Sequence, residues 1–294
     1  MPVKTEWVTN DFGHCYKVKR LYKGRTPFQS MEIVESGTFG TLLFLDGKVQ
    51  ISDGDENRYH QYLVSAPLLA HRAPKSLLVI GGGDCFSIEE AVKFKGLKRI
   101  LMAEIDKGVV DFCRKNYPAI RRCLKDRRVE IVYADARKWV EGSPETFDVI
   151  VVDLTEPHGP SKMLYTREFY RLLKRRLNPG GLVSIHTDNY FLFPESFATI
   201  HKTLKSVFPH IATARVDMPC FGMGWTYRLA SPKPIRVKRM EKGAKRLGLK
   251  HFTPSLYEGK PTGEELEVLR RHGRVSTDRR PFDKFAKMKR YVTR

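Results

Sequence analysis

Residues 77–106 read LLVI, GGGD, CFSIEEAVKFKGLKRI, LMAEID, and the order of these four pieces decides the fold. Leu77 to Ile80 are apolar without alternation, as expected of a parallel strand buried on both faces, and three glycines interrupt them abruptly. From Asp84 onward Ile88, Ala91, Val92 and Leu97 keep a roughly helical period, and Arg99 to Ala103 returns to a strand. The whole is a βαβ unit. Gly81 and Gly82 at its first turn let a ligand approach the backbone, and Glu104 at the end of the second strand can hydrogen-bond both hydroxyls of a ribose. A glycine-rich turn is also how many α/β proteins simply turn a corner. Cys85, Phe86 and Ser87 stand where a pyrophosphate-binding G-x-G-x-x-G would place later glycines, so a single nucleoside with a small appendage is favoured over a dinucleotide.

Working outward, the same alternation continues. Strands are expected at Val129–Val132, Phe147–Val152 and Leu182–His186, with helices over Lys107–Tyr117, Leu164–Leu177 and Pro194–Val207, the second of these ended by Asn178, Pro179 and Gly180. Segments around Ile211–Arg215 and Trp225–Ala230 complete the pattern. This calls for an α/β fold with a mostly parallel, doubly wound sheet. Upstream, HCYKVKRLYKG, PFQSMEIVES and TLLFLDGKVQIS are β-rich and punctuated by glycines, which predicts a small antiparallel β domain over residues 1–55. Residues 56–71 should form a helix kinked near Pro67, leading into a catalytic domain over 56–231. Residues 232–294 form a basic extension packed on or trailing that core. It holds 19 Lys and Arg against 7 Asp and Glu, most of the formal charge of +20. Such a tail suits RNA or a membrane surface, but equally a solvated, ion-paired surface, and no aromatic-interleaved or helix-turn-helix pattern accompanies it. Nucleic acid is therefore not the expected partner. No apolar run is long enough to cross a bilayer and no signal-peptide pattern is seen, so a cytoplasmic protein is expected. The five cysteines are scattered without a C-x-x-C pair, which suggests neither a disulfide framework nor zinc.

In a doubly wound sheet ligands sit beyond the carboxyl ends of the strands. Here those exits carry Asp84, Glu104, Asp106, Asp135, Asp153, Glu156, His186 and Asp188. Asp84 or Asp135 singly would serve as a helix N-cap. Together the carboxylates favour a cationic ligand beside the nucleoside. A metal is the rival explanation, ranked lower because Glu104 and Asp135 already have nucleoside roles and His60, His158 and His186 show no ligand spacing.

The pieces YHQYLVSAPLLAH, LLVIGGGD, AEIDKGVVDFCRKNYP, VYADARKWV, FDVIVVDLTEPHGPSKMLYTREFY and LNPGGLVSIHTDN, in this order, resemble the spermidine synthase family of aminopropyltransferases from about Gln29 to Ser231. LKHFTPSLYEG resembles the family's closing segment. The most specific piece is D-x-x-[DE]-P-x-G-P at Asp153–Pro160. The resemblance implies a methyltransferase-like Rossmann domain preceded by the β domain. It also implies transfer of an aminopropyl group from decarboxylated S-adenosylmethionine, a co-substrate rather than a cofactor, to a polyamine acceptor such as putrescine or spermidine, with 5′-methylthioadenosine released. By position it places Gln29, Asp84, Glu104, Asp135 and Ala136 on the donor, and Asp153 with Tyr59 in the catalytic role. It implies no metal and a homodimer or homotetramer. The chain departs from the family pattern in GGGDCF for GGGDGG, in His60 for glutamine, Glu156 for aspartate, Phe221 for tyrosine and Asp188 for glutamate. The last four lie on the acceptor side, so putrescine, a longer polyamine or agmatine all stay open. Phe221, Trp225 and His60 could equally be packed core residues. A methyltransferase using intact S-adenosylmethionine is the alternative, with RNA one substrate that the basic tail would suit.

Overall fold

The structure is a computed structural model and describes residues 2–286. The N-terminal part holds an antiparallel pair, β1 (Val3–Trp7) with β2 (Gly13–Lys17), and a separate antiparallel sheet of β3 (Lys19–Arg25), β4 (Ser30–Ser36), β5 (Gly40–Leu45) and β6 (Lys48–Ser52) in sequential order. β1 was not expected, because VKTEW is short and its burial runs against its apolar alternation: Glu6 is buried while Val3 and Trp7 are exposed.

The lead-in expected as one kinked helix is three pieces: α1 (Glu56–His60), a π-helical turn (Gln61–Ser65) and α2 (Ala66–Ala70). The irregularity immediately precedes Pro67, which has no N–H to give the π turn before it. The chain then enters β7 (Ser76–Gly81), α3 (Phe86–Val92), β8 (Arg99–Glu104), α4 (Lys107–Asn116), α5 (Pro118–Cys123), β9 (Val129–Tyr133), α6 (Ala136–Gly142) and β10 (Phe147–Asp153). A 3₁₀ turn (Gly159–Tyr165) leads to α7 (Arg167–Arg175), β11 (Leu177–Thr187), α8 (Pro194–Lys205), β12 (His210–Met218) and β13 (Met223–Ser231). The helix expected over 164–177 is thus shorter, since Thr166 caps it by accepting from Phe169 N, and the Asn-Pro-Gly stop opens β11. Beyond the sheet lie α9 (Arg239–Leu247), a 3₁₀ turn (Pro254–Glu258) and α10 (Gly263–Arg271). Residues 287–294 of the basic extension lie outside the described residues.

The large sheet runs β12-β13-β11-β10-β7-β8-β9. The five strands from β11 to β9 are parallel, and β13 and β12 add an antiparallel edge, so the doubly wound, methyltransferase-like arrangement holds with an antiparallel addition. Leu77 to Ile80 are fully buried, each contributing about 1.5–3 kcal/mol on this count. Strand order reverses between β7 and β10, and a crevice opens outside their carboxyl ends. Tyr257 on the extension donates to the Tyr62 carbonyl at 2.8 Å, fixing that segment against the lead-in helix. Among the described residues no helix is long and apolar enough to cross a membrane.

Candidate active site

The switch point brings Asp84, from the turn after β7, together with Asp153 at the end of β10. The glycines make this possible. Gly81 and Gly82 have φ of +79° and +76°, and a Cβ on Gly81 would lie 2.2 Å from the Asp153 carbonyl, which accepts Gly82 N–H at 2.8 Å. What approaches Gly81 is therefore the neighbouring strand. Gly83 faces Glu104 instead, where a Cβ would stand 3.3 Å from its carboxylate. Cys85 follows with φ +68°, a left-handed backbone at a fully buried non-glycine residue.

Asp153 is held at both oxygens. Tyr59 Oη donates to Oδ1 at 3.2 Å and Ser87 Oγ donates to Oδ2 at 2.6 Å. Ser87 was not singled out in the sequence. It lies one helical step inside α3, and only the docking of that helix reveals it. Ser65 donates to the Glu90 carboxylate, fastening α3 to the π turn and so fixing Ser87 relative to Tyr59. Burial first, then the charge of Asp153, pushes the Tyr59 phenol well above its ordinary range, so it acts as a donor.

His60 is 1% exposed. Its Nδ1 meets the Glu56 carbonyl at 2.9 Å and the Glu56 carboxylate at 3.4 Å, while Nε2 lies 3.9 Å from Asp153 without a hydrogen-bond partner. Burial opposes its charge, but Glu56, Asp84 and Asp153 outweigh it and raise the ring to about 9. For Asp84, burial and nearby Asp153 prevail over His60, moving it up to about 6. Asp84 also accepts from Phe86 N at 3.0 Å, so it caps its own turn as well as facing the crevice. One ligand-type atom from each of His60, Asp84 and Asp153 falls within 4.8 Å of the others, a convergence that the sequence spacing did not suggest. Among the described residues no Lys or Arg pairs with Asp84 or Asp153.

The neighbouring side of the crevice is built from both the N-terminal sheet and the large sheet. Gln29 Nε2 and Thr26 Oγ1 both donate to Asp106, at 2.8 and 2.6 Å, and Asp106 caps α4 by accepting from Gly108 N. Glu104 accepts from Asp106 N at 2.7 Å, and burial moves its carboxyl up to about 7. Gln29 thus buttresses the Glu104 loop from the N-terminal sheet. Asp135 is exposed and caps α6 through Arg137 N and Lys138 N, with Ala136 buried behind it.

A small cavity opens beside Tyr59, lined among others by Glu6, Lys48, Glu156, Phe193, Phe221, Trp225 and Lys284. Phe221 and Trp225 pack with ring centroids 4.9 Å apart, and Phe221 meets Tyr59 at 6.3 Å. Trp225 Nε1 donates to His186 Nδ1 at 3.2 Å, so His186 Nε2 carries the proton it donates to the Leu154 carbonyl at 2.7 Å. His186 is a satisfied wall residue. Glu156 in the cavity wall and Asp188, which does not line it, are both paired with Lys284.

Residues 56–239 match the Spermine/spermidine synthase domain family, and residues 3–53 match the Spermidine synthase tetramerisation domain family. The chain belongs to the spermidine synthase family of polyamine aminopropyltransferases. It is 34% identical over 255 residues to the Polyamine aminopropyltransferase of Bacillus mycoides, covering 86% of this chain and 93% of that one. Polyamine aminopropyltransferase 1 of Aquifex aeolicus is 36% identical over 231 residues, 78% and 82% of the two chains. A crystal structure of spermidine synthase in complex with the transition-state analogue AdoDATO superposes with a TM-score of 0.86 at 27% identity, covering 92% of this chain and 95% of that one. Spermidine synthase from Thermotoga maritima gives 0.85 at 26%, with 92% and 94% covered. Resemblance and fold class read from the sequence therefore hold, and the chain is a transferase of this family with small-molecule substrates and an oligomerisation domain.

Proposed function

We propose that this aminopropyltransferase moves the aminopropyl group of decarboxylated S-adenosylmethionine to a primary amine of a polyamine-type acceptor such as putrescine or spermidine, releasing 5′-methylthioadenosine. The observation that carries the proposal is the meeting of Asp84 and Asp153 at the switch point. Three carboxyls, Glu56, Asp84 and Asp153, surround one imidazolium, His60. The donor brings a sulfonium and an ammonium. Its ammonium suits Asp84, its ribose hydroxyls Glu104, and its adenine the Asp135–Ala136 corner.

With the donor's two charges set against this cluster, little negative charge is left over for a third cation, so the acceptor nitrogen reacts as a neutral amine. Its lone pair attacks the carbon next to sulfur, the carbon–sulfur bond breaks toward sulfur, and the neutral thioether leaves without needing an acid. The proton lost from nitrogen passes to Asp153, which Tyr59 and Ser87 hold in place. Alignment of nitrogen, carbon and sulfur provides much of the remaining acceleration. This chemistry calls for no metal or other cofactor. The match of residues 3–53 to a tetramerisation domain, and exposed Leu21 and Tyr22 on edge strand β3, support assembly of a homotetramer through the N-terminal sheets.

The test is Asp153→Asn. Methylthioadenosine release should fall at least about a hundredfold, as for loss of a positioned base, with donor affinity largely kept. An unchanged rate, or wild-type turnover of intact S-adenosylmethionine, would overturn the assignment.

A further inference from the structure

The C-terminal strap, residues 273–286, is fastened to the loop that follows Asp153. Arg137 holds Asp278 at 2.9 and 2.5 Å, Arg167 N donates to the Ser276 carbonyl at 2.8 Å, and Asp283 meets His158 at 2.8 Å and Lys162 at 3.3 Å. Lys284 N donates to the Pro157 carbonyl at 2.8 Å, and its side chain, 2% exposed, turns inward. There Nζ pairs with Asp188 and lies 3.3 Å from Glu156. It sits 3.8 Å from the centre of the Phe193 ring, 5.1 Å from Phe285 and 6.0 Å from Trp225. Burial opposes the charge of Lys284, but Asp188 and Glu156 more than restore it, and Lys284 together with Lys48 holds Glu156 down at about 2 against its own burial.

Two carboxylates under aromatic faces are what an alkylammonium needs to leave water. Here the chain's own ammonium fills that cage. Across the cavity Lys48 adds a second cation facing Glu6 and Glu156, so the acceptor cavity is close to charge-balanced before any amine enters.

We propose that Lys284 is a specificity-determining residue that counts charges on the acceptor. By keeping the cage between Asp188 and Glu156 for itself, it denies the acceptor a site there for a second ammonium. The acceptor is then held by its reacting amine and its methylene chain against Phe221 and Trp225. This deepens, and rests on, the aminopropyl-transfer reading.

The experiment compares kcat/KM for 1,4-diaminobutane and for butylamine, with decarboxylated S-adenosylmethionine, in wild type, Lys284→Met and Lys284→Arg. In Lys284→Met the vacated carboxylates reward the second ammonium. The diamine-to-monoamine ratio should rise at least about tenfold, mainly through a lower diamine KM, while Lys284→Arg stays within about twofold of wild type. An unchanged or reduced ratio in Lys284→Met overturns the proposal. Wild type gives an independent check by lysine acetylation mapped with mass spectrometry, with and without 1,4-diaminobutane and methylthioadenosine. Lys284 protected in both conditions supports a fixed residue, whereas acetylation only in the presence of the diamine means displacement and refutes it. Failure of wild type to release methylthioadenosine with either amine, while the acetylation pattern is as expected, would strike the aminopropyl-transfer reading rather than the cage.

Discussion

Ser87→Ala removes one hydroxyl and with it the 2.6 Å hydrogen bond to Asp153 Oδ2. A hydrogen bond to a charged group is worth about 1.5–3 kcal/mol, or roughly 10- to 150-fold in rate if it is fully needed in the transition state. Two features set the expectation at the lower end. Tyr59 still holds the other oxygen at 3.2 Å. Loss of the donor also makes the carboxylate a somewhat stronger base, which offsets part of the misorientation. The net expectation is a fall of about 10- to 30-fold in kcat, with donor Kd changed by less than about threefold. Donor-saturated methylthioadenosine release gives kcat, and titration calorimetry gives the donor Kd. The decisive comparison is a double-mutant cycle with Asp153→Asn. If Ser87 acts through Asp153, adding Ser87→Ala to Asp153→Asn costs less than about twofold further. Independent, multiplying losses would refute the reasoning, as would a kcat for Ser87→Ala indistinguishable from wild type.

Two further expectations follow from the site. Burial raises Asp84 to about 6 and Glu104 to about 7, so the folded protein holds these protons to higher pH than the unfolded chain, and both groups make folding less favourable as pH rises from about 4 to 7. A cationic donor needs them ionised, so its affinity should increase at least about tenfold between pH 5.5 and 7.5, with proton release visible in buffers of different ionisation heat; a flat or falling profile would contradict this. At Cys85, glycine relieves about 1–2 kcal/mol of left-handed strain and loses a similar amount in buried sulfur and chain entropy, leaving stability within about 1 kcal/mol of wild type. Cys85→Val, β-branched at the same φ, should cost more than about 2 kcal/mol in urea unfolding, and a neutral valine would show that the backbone is not strained.

The sheet was legible because its central strands are apolar runs closed by turn residues, and the exits of those strands named Asp84, Glu104, Asp135 and Asp153 before any coordinates. Local patterning could not show β1, whose one buried residue is Glu6 while Val3 and Trp7 are exposed, nor the π turn, because Gln61–Ser65 are all buried and carry no register signal. Ser87 and Lys284 were hidden for a different reason. Their partners are 66 and 96 positions away, and only packing of α3 and the C-terminal strap brings them near Asp153 and Asp188. Lys284 in particular was absorbed into a count of tail charges. Asp188, which the resemblance put on the acceptor side, is paired with it. Asp135 fulfils its capping role, which the sequence had left open.

The π turn leaves the lead-in helix with a built-in trade-off. A π turn spends an extra residue per turn, so deleting one residue within Gln61–Ser65 would give a smoother helix with better backbone geometry. It would also rotate everything ahead of it by about 100° around the helix axis, swinging Tyr59 and His60 away from Asp153. At this point of the chain, regularity and chemistry pull in opposite directions, and the irregular turn is what aims the phenol.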